Sequence, residues 1–181
     1  MENKLENKPK NKLLEKIENR FVKNTEPKNY SNFFYVMFGD KLVHDGDFFT
    51  LDDVNRPPKY RFNRMRNSNI GKFHAIVMVD PDSPLGFYVH QCIYDIPVDN
   101  VTYGKVFYAY TPPNPPAGSG PDEDGRHRYF CILYEQGEKI DRELEPVERP
   151  FKTYKDFTTM LGTTLMPKAS KYFICEHGVY V

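Results

Sequence analysis

Two carboxylates, two imidazoles and a phenol are the groups of this 181-residue chain best suited to chemistry. Asp80 and Asp82 close an apolar run in VMVDPDSP (77–84), His90 lies in VHQ, and His127 and Tyr129 lie in GRHRYF (125–130). Paired acids divide into general acid and general base only where their surroundings set their pKa values apart, and nothing in the octet supplies that difference. On a continuing strand both side chains would share a face. Pro81 and Pro84 favour a rigid strand-end loop instead, with one carboxylate accepting backbone N–H bonds and the other meeting ligand or solvent. A purely structural Asx turn fits the octet equally well, and either X–Pro bond is open to the cis form.

His90 sits in a run whose alternation points Tyr88 and His90 one way and Val89 and Gln91 the other; a lone histidine there serves as a structural hydrogen-bonder or as a ligand group. His127 is more suggestive. Strand geometry puts Arg126 and Arg128 on one face and His127 with Tyr129 on the other, so that an imidazole and a phenol stand together as donors for an oxyanion. The arginines on the reverse face are expected to be solvated or paired with acids. There is no GxSxG, HExxH or GxxxxGK[ST] pattern, and the Asp and His spacing matches no compact metal motif. YRFNRMR (60–66) interleaves aromatics with arginines, but one short patch in a neutral domain does not predict nucleic-acid binding.

The elements that must hold these groups read as short strands. FFYVMF, KLV after a turn at Gly39–Asp40, YRFNR, KFHAIVMV, VHQCIYDI, KVFYAYT, YFCILYE and KYFIC are separated by Gly and Pro signals, the rhythm of a β-dominated domain without βαβ units. Residues 114–125 (NPPAGSGPDEDG) read as an exposed, mobile loop, and 137–150 as a solvated charged excursion. TYKDFTTMLGTTL predicts a helix of about two turns, with Phe157, Met160 and Leu161 on one face. At the N-terminus, 1–10 reads as a flexible tail and 11–28 as a helix and linker, with Leu13, Leu14, Ile17 and Phe21 forming an apolar stripe that docks on the domain or on a partner. Residues 29–181 form the main domain.

Composition agrees with one soluble domain: 39% hydrophobic, 28% charged, and 25 basic against 25 acidic residues, which gives no global charge excess to attract nucleic acid or acidic membrane. The 14 Phe and 13 Tyr without Trp predict an aromatic-packed core. Cys92, Cys131 and Cys175 are odd in number and form no CxxC, so buried free thiols in a reducing compartment are expected. No apolar stretch approaches the ~20 residues of a membrane span, and the N-terminus carries no signal-peptide pattern. Cytoplasmic residence is the expectation.

Taken together, these blocks resemble the phosphatidylethanolamine-binding protein family, also called the Raf-kinase-inhibitor-protein family. VMVDPDSP is similar to the family's DPDxP block, VHQCIYDIP to its histidine-bearing strand, YAYTPPNPPAGSG to its Y-x-P-P-x-P-x-G segment, and GRHRYFCILYEQ to its G-x-H-R-Y block. FKTYKDFTTMLGTTLMPKASKYF is similar to the closing helix and strand. The resemblance spans about residues 30–175 and implies a central antiparallel β-sheet, a smaller second sheet and peripheral helices. It also implies a small cavity for phosphate or other anionic head groups, with Asp80 and Asp82 at its rim or wall, His90, His127 and Tyr129 lining it, and Pro112 and Pro113 shaping its mouth.

The chain departs from the family's pattern in four places. Gln91 stands where a Trp usually follows the histidine, removing an aromatic plate. The loop between Pro84 and His90 is short. PDEDGR lengthens the approach to HRY and brings Asp122, Glu123 and Asp124 toward the anion site. The chain ends at Val181 without the extra C-terminal helix of some members.

The function expected on this basis is non-enzymatic: binding of a phosphate-containing or phosphatidylethanolamine-like head group, with regulation of a protein partner in the manner of kinase or protease inhibitors. No cofactor or metal, no nucleic acid and at most peripheral membrane contact are expected. A structural or adaptor subunit with a non-functional pocket is the alternative, and a hydrolase using the Asp and His cluster is a third.

Overall fold

A computed structural model describes residues 33–63, 73–97, 100–145 and 147–178 of the chain. The tail and helix expected at 1–28 and the arginines of NRMR beyond Asn63 lie outside the described residues. Among the described residues, ten strands and one α-helix follow one another: β1 Phe34–Phe38, β2 Lys41–Leu42, β3 Asp47–Phe49, β4 Lys59–Phe62, β5 Phe73–Asp80, β6 Phe87–Pro97, β7 Lys105–Tyr108, β8 Arg126–Gln136, β9 Pro150–Phe151, α1 Tyr154–Leu161 and β10 Leu165–Glu176. A 3-10 turn, Val101–Tyr103, joins β6 to β7.

The strands form a small sheet, β2-β1-β4, and a large one ordered β3-β10-β8-β5-β6-β7, with β9 added to β6. The mainly β architecture with two unequal sheets agrees with the sequence. The large sheet, expected to be antiparallel, is mixed. β3 runs parallel to β10 with Phe173 opposite Asp47, because the turn at Gly46 (φ +87°) and the Asp45 carboxylate, 3.0 Å from the Tyr172 amide, deliver the chain to that edge in the same direction. β10 starts at Leu165, well before KYFIC, and zips along β8 from Leu165–Gln136 to Glu176–Arg126. All described peptide bonds are trans.

The unbroken apolar run of β5 follows from its position between β6 and β8, where both faces are covered. On one face Val77, Val79, Phe130 and Ile132 pack with Phe157 and Leu161 of α1. On the other, Ile76, Met78, Tyr129, Cys131 and Phe173 pack with Phe34, Val36, Phe38 and Phe62 of the small sheet. Each such side chain stabilises the fold by about 1.5–3 kcal/mol on removal from water, and the interlocked rings (Phe38 with Phe173 at 5.2 Å, Phe49 with Phe173 at 5.2 Å) meet the aromatic expectation. α1 begins at Thr153, whose hydroxyl accepts from the Asp156 amide at 3.2 Å, and stops at Gly162 in the left-handed region (φ +67°). The three cysteines are free and buried; desolvation raises the thiol pKa values, to about 12 for Cys131 and Cys175.

Candidate functional site

Asp80 ends β5, and its carboxylate turns inward as the strand gives way to Pro81. One oxygen accepts the Asp82 amide at 2.8 Å, an Asx turn; the other accepts from His127 Nδ1 at 2.7 Å across to the start of β8. Both residues are almost fully buried. Asp82 turns to Arg128 instead. Its two oxygens accept the Arg128 backbone amide at 2.9 Å and a guanidinium fork at 2.8 and 2.8 Å. The acids therefore have unlike roles: Asp80 orients an imidazole, and Asp82 fastens the strand that carries it. Arg126, on the same reverse face as Arg128, pairs with Asp124 and Glu176 at 3.4 Å each.

His127 was expected to donate into the pocket, yet both of its ring nitrogens meet protein atoms. Nε2 lies 2.7 Å from the Ser119 hydroxyl, which is itself 2.5 Å from the Pro116 carbonyl. A hydroxyl has one proton, and a carbonyl only accepts. Ser119 therefore donates to Pro116 and accepts from His127 Nε2–H. Between them, His127 and Asp80 hold one proton on Nε2 and one in the short Nδ1–Oδ2 bond, so the pair carries no net charge.

Ser119 reaches His127 because 114–125 is tied down rather than loose. Gly125 N–H donates to the Ser119 carbonyl at 2.9 Å, and His177 donates from its backbone amide to Gly125 (2.9 Å) and from Nδ1 to Pro115 (3.1 Å). Gly120 (φ +88°) permits the closure, since a Cβ there would stand 2.1 Å from the Arg126 carbonyl oxygen. Asp122, Glu123 and Asp124 are exposed, and Asp124 accepts the Arg126 amide at 3.0 Å.

His90 faces the same space for a reason invisible in its alternation. Met78 pairs with Gln91 but Val79 pairs with Val89, leaving His90 as the extra residue of a bulge. Val89 and Cys92 consequently pack on the α1 side, while His90 and Gln91 both turn toward the small sheet. That corrects the expected opposition of His90 and Gln91. Gln91 is buried and accepts from the Tyr60 hydroxyl at 2.9 Å, so a hydrogen bond to β4 stands where an aromatic plate was missing. His90 Nδ1 donates to the Thr111 carbonyl at 2.7 Å, and the Thr111 amide returns a bond to the His90 carbonyl at 2.9 Å. Burial is the largest influence on His90 and lowers its pKa, against the opposing effects of the Thr111 bond and Asp80. Arg149 braces this pair from behind, donating to the His90 carbonyl at 3.2 Å and to the Thr111 hydroxyl while lying 5.2 Å over the Tyr108 ring. Pro112, next along the chain, is exposed and Pro113 is buried.

Tyr129 completes the group. Its ring is fully buried, edge-on to His90 at 5.1 Å and stacked on His127 at 6.3 Å. Its hydroxyl is buried without a hydrogen-bond partner among the described residues. Desolvation and the nearby Asp80 carboxylate push the phenol pKa far up, so it remains a donor. The structure thus brings Asp80, His90, His127 and Tyr129 together and directs Asp82 to Arg128. Ser119 and Arg149 were not anticipated. Among the described residues no group of three or more His, Cys, Asp or Glu could hold a metal ion.

The sequence profile of the family described as phosphatidylethanolamine-binding protein matches residues 39–179. Protein FLOWERING LOCUS T of Arabidopsis thaliana is 30% identical over 118 residues, 61% of this chain and 62% of its own length. The 26 kDa secreted antigen of Toxocara canis is 28% identical over 116 residues, 60% and 41% of the two chains. The chain spans less than two thirds of the length of these relatives. Among solved structures, a carboxypeptidase Y inhibitor in complex with its cognate proteinase superposes with a TM-score of 0.61 at 22% identity, covering 80% of this chain and 83% of that one. A phosphatidylethanolamine-binding protein of Plasmodium falciparum gives 0.54 at 16% identity, covering 94% and 99%. The chain belongs to the phosphatidylethanolamine-binding protein family.

Proposed function

We propose that this family member is a non-catalytic binding protein whose pocket holds a phosphate-bearing head group and whose occupancy regulates a protein partner. The observation that carries this reading is the Tyr129 hydroxyl, buried beside His90 without a partner. Leaving such a group unsatisfied costs about 1–3 kcal/mol, and a ligand oxyanion would remove that cost. Two features argue against hydrolysis. Ser119 gives its proton to a backbone carbonyl, whereas a serine nucleophile must give it to the imidazole. His127, the base that Ser119 meets, already donates to it.

That a relative of this fold was solved as a proteinase inhibitor on its target supports a protein partner for the class. Cytoplasmic residence is favoured by three buried thiols left unpaired. An adaptor role with an idle pocket is the second reading, favoured by Val106 on the edge strand β7 and Tyr103 in the turn before it, which are 60% and 73% exposed. Calorimetry with phosphorylethanolamine and with inorganic phosphate separates the two. Saturable binding that falls at least about tenfold in Tyr129→Phe, with a melting temperature raised by removal of the unsatisfied hydroxyl, supports the first. Absence of binding by either compound would favour the adaptor.

A further inference from the structure

Among the described residues, the groups around His90 and Tyr129 include no uncommitted cation. His90 meets Tyr88 from its own strand at 4.9 Å, Asp80 from β5, His127 and Tyr129 from β8, the Thr111 carbonyl, and Arg149 from the segment before β9. The Thr111 carbonyl can only accept, so Nδ1 carries the His90 proton. Nε2, which has no hydrogen-bond partner among the described residues, presents a lone pair. Arg149 is committed to the His90 carbonyl and the Thr111 hydroxyl, Arg128 to Asp82, and both nitrogens of His127 to Asp80 and Ser119. Among the described residues, an entering oxyanion meets one uncommitted side-chain donor here, the phenol, and one acceptor, the imidazole.

A fully ionised phosphate monoester would set its charge against that lone pair with no uncommitted cation to offset it. A singly protonated one fits: its O–H donates to His90 Nε2 and another oxygen accepts from Tyr129. Resting on the phosphate reading above, we propose that the pocket takes phosphate monoesters as monoanions, and that it rejects phosphodiesters, including the head group of an intact phospholipid. The dianion in solution binds with one proton drawn from solvent, ROPO3(2−) + H+ giving bound ROPO3H(−), and no covalent bond changes. A diester has no such proton to give.

The test is calorimetry of the full chain with phosphorylethanolamine, a monoester with a second pKa of about 6, and with glycerophosphoethanolamine, its diester counterpart. Titrations run from about pH 6 to about pH 8.5 in two buffers of different ionisation enthalpy, which counts the protons exchanged. The expected result is a monoester affinity that falls toward about tenfold per pH unit above about pH 7, with about one proton taken up at pH 8. The diester should bind at least about tenfold more weakly throughout. Equal affinity for both esters, or monoester binding that ignores pH and takes up no proton, would overturn the proposal while leaving the phosphate site standing. Proton uptake with the diester would also overturn it, by placing the proton on His90. Absence of binding by either ester would overturn the phosphate reading and this proposal with it.

Discussion

His127 Nδ1 and Asp80 Oδ2 stand 2.7 Å apart, almost fully buried, and join the last residue of β5 to the second residue of β8. This bond fixes the ring that stacks on Tyr129, so the pocket wall is built into the main sheet rather than carried on loops. It does so without net charge, because the proton count on the pair balances the carboxylate.

Replacing Asp80 with Asn leaves an amide to satisfy two donors, the Asp82 N–H and His127 Nδ1–H. Breaking a buried pair of this kind costs about 3–5 kcal/mol. At about 2–4 °C per kcal/mol for a domain of this size, a thermal melt should show a fall on the order of ten degrees. An unchanged melting temperature would mean that the pair contributes nothing to the fold.

The pH dependence of stability has a definite sign at His90. Its folded pKa is depressed by burial, while an unfolded histidine titrates near about 6.5. Between those values the unfolded chain binds more protons, so stability falls as pH drops below about 6.5 and levels off at the folded pKa. His90→Asn keeps a donor toward Thr111 but cannot titrate. Melting temperatures from about pH 7.5 to about pH 5 should therefore fall less steeply in the variant; identical slopes would remove His90 from the account.

Arg149 acts through its neighbours. It holds the Thr111 hydroxyl and the His90 carbonyl, and Thr111 in turn fixes the His90 proton on Nδ1. Arg149→Met should weaken phosphorylethanolamine binding by about tenfold, the worth of one charge-assisted hydrogen bond, and should shift the His90 ring resonances. Arg149→Lys should recover part of both effects. Wild-type affinity in the Met variant would show that the brace is dispensable.

The parts of this site legible in the sequence are those set by local chemistry. DPDSP announces a strand that stops in a rigid corner, and strand alternation puts His127 with Tyr129 and opposes both arginines. The central strands and α1 follow from apolar runs and the spacing of Phe157 and Leu161. What escaped depends on pairing. The bulge that brings Gln91 to the same side as His90 exists only in the register between β5 and β6. Asp82 looked like its twin Asp80 until the cross-strand position of Arg128 separated them. Ser119 lay in a segment whose composition reads as loose, and its place depends on contacts with His177 more than fifty residues away. Arg149 reaches the pocket from a charged stretch that carries no motif, and the parallel strand β3 is too short to signal itself.

The most direct test of the central claim is an NMR titration of the histidine ring nitrogens with phosphorylethanolamine. The account predicts a saturable change at His90 Nε2, with His127 Nδ1 and Nε2 retaining the shifts of their bonds to Asp80 and Ser119, and loss of the His90 response in Tyr129→Phe. A response confined to His127, or none at either ring, would contradict a pocket built around Tyr129 and His90.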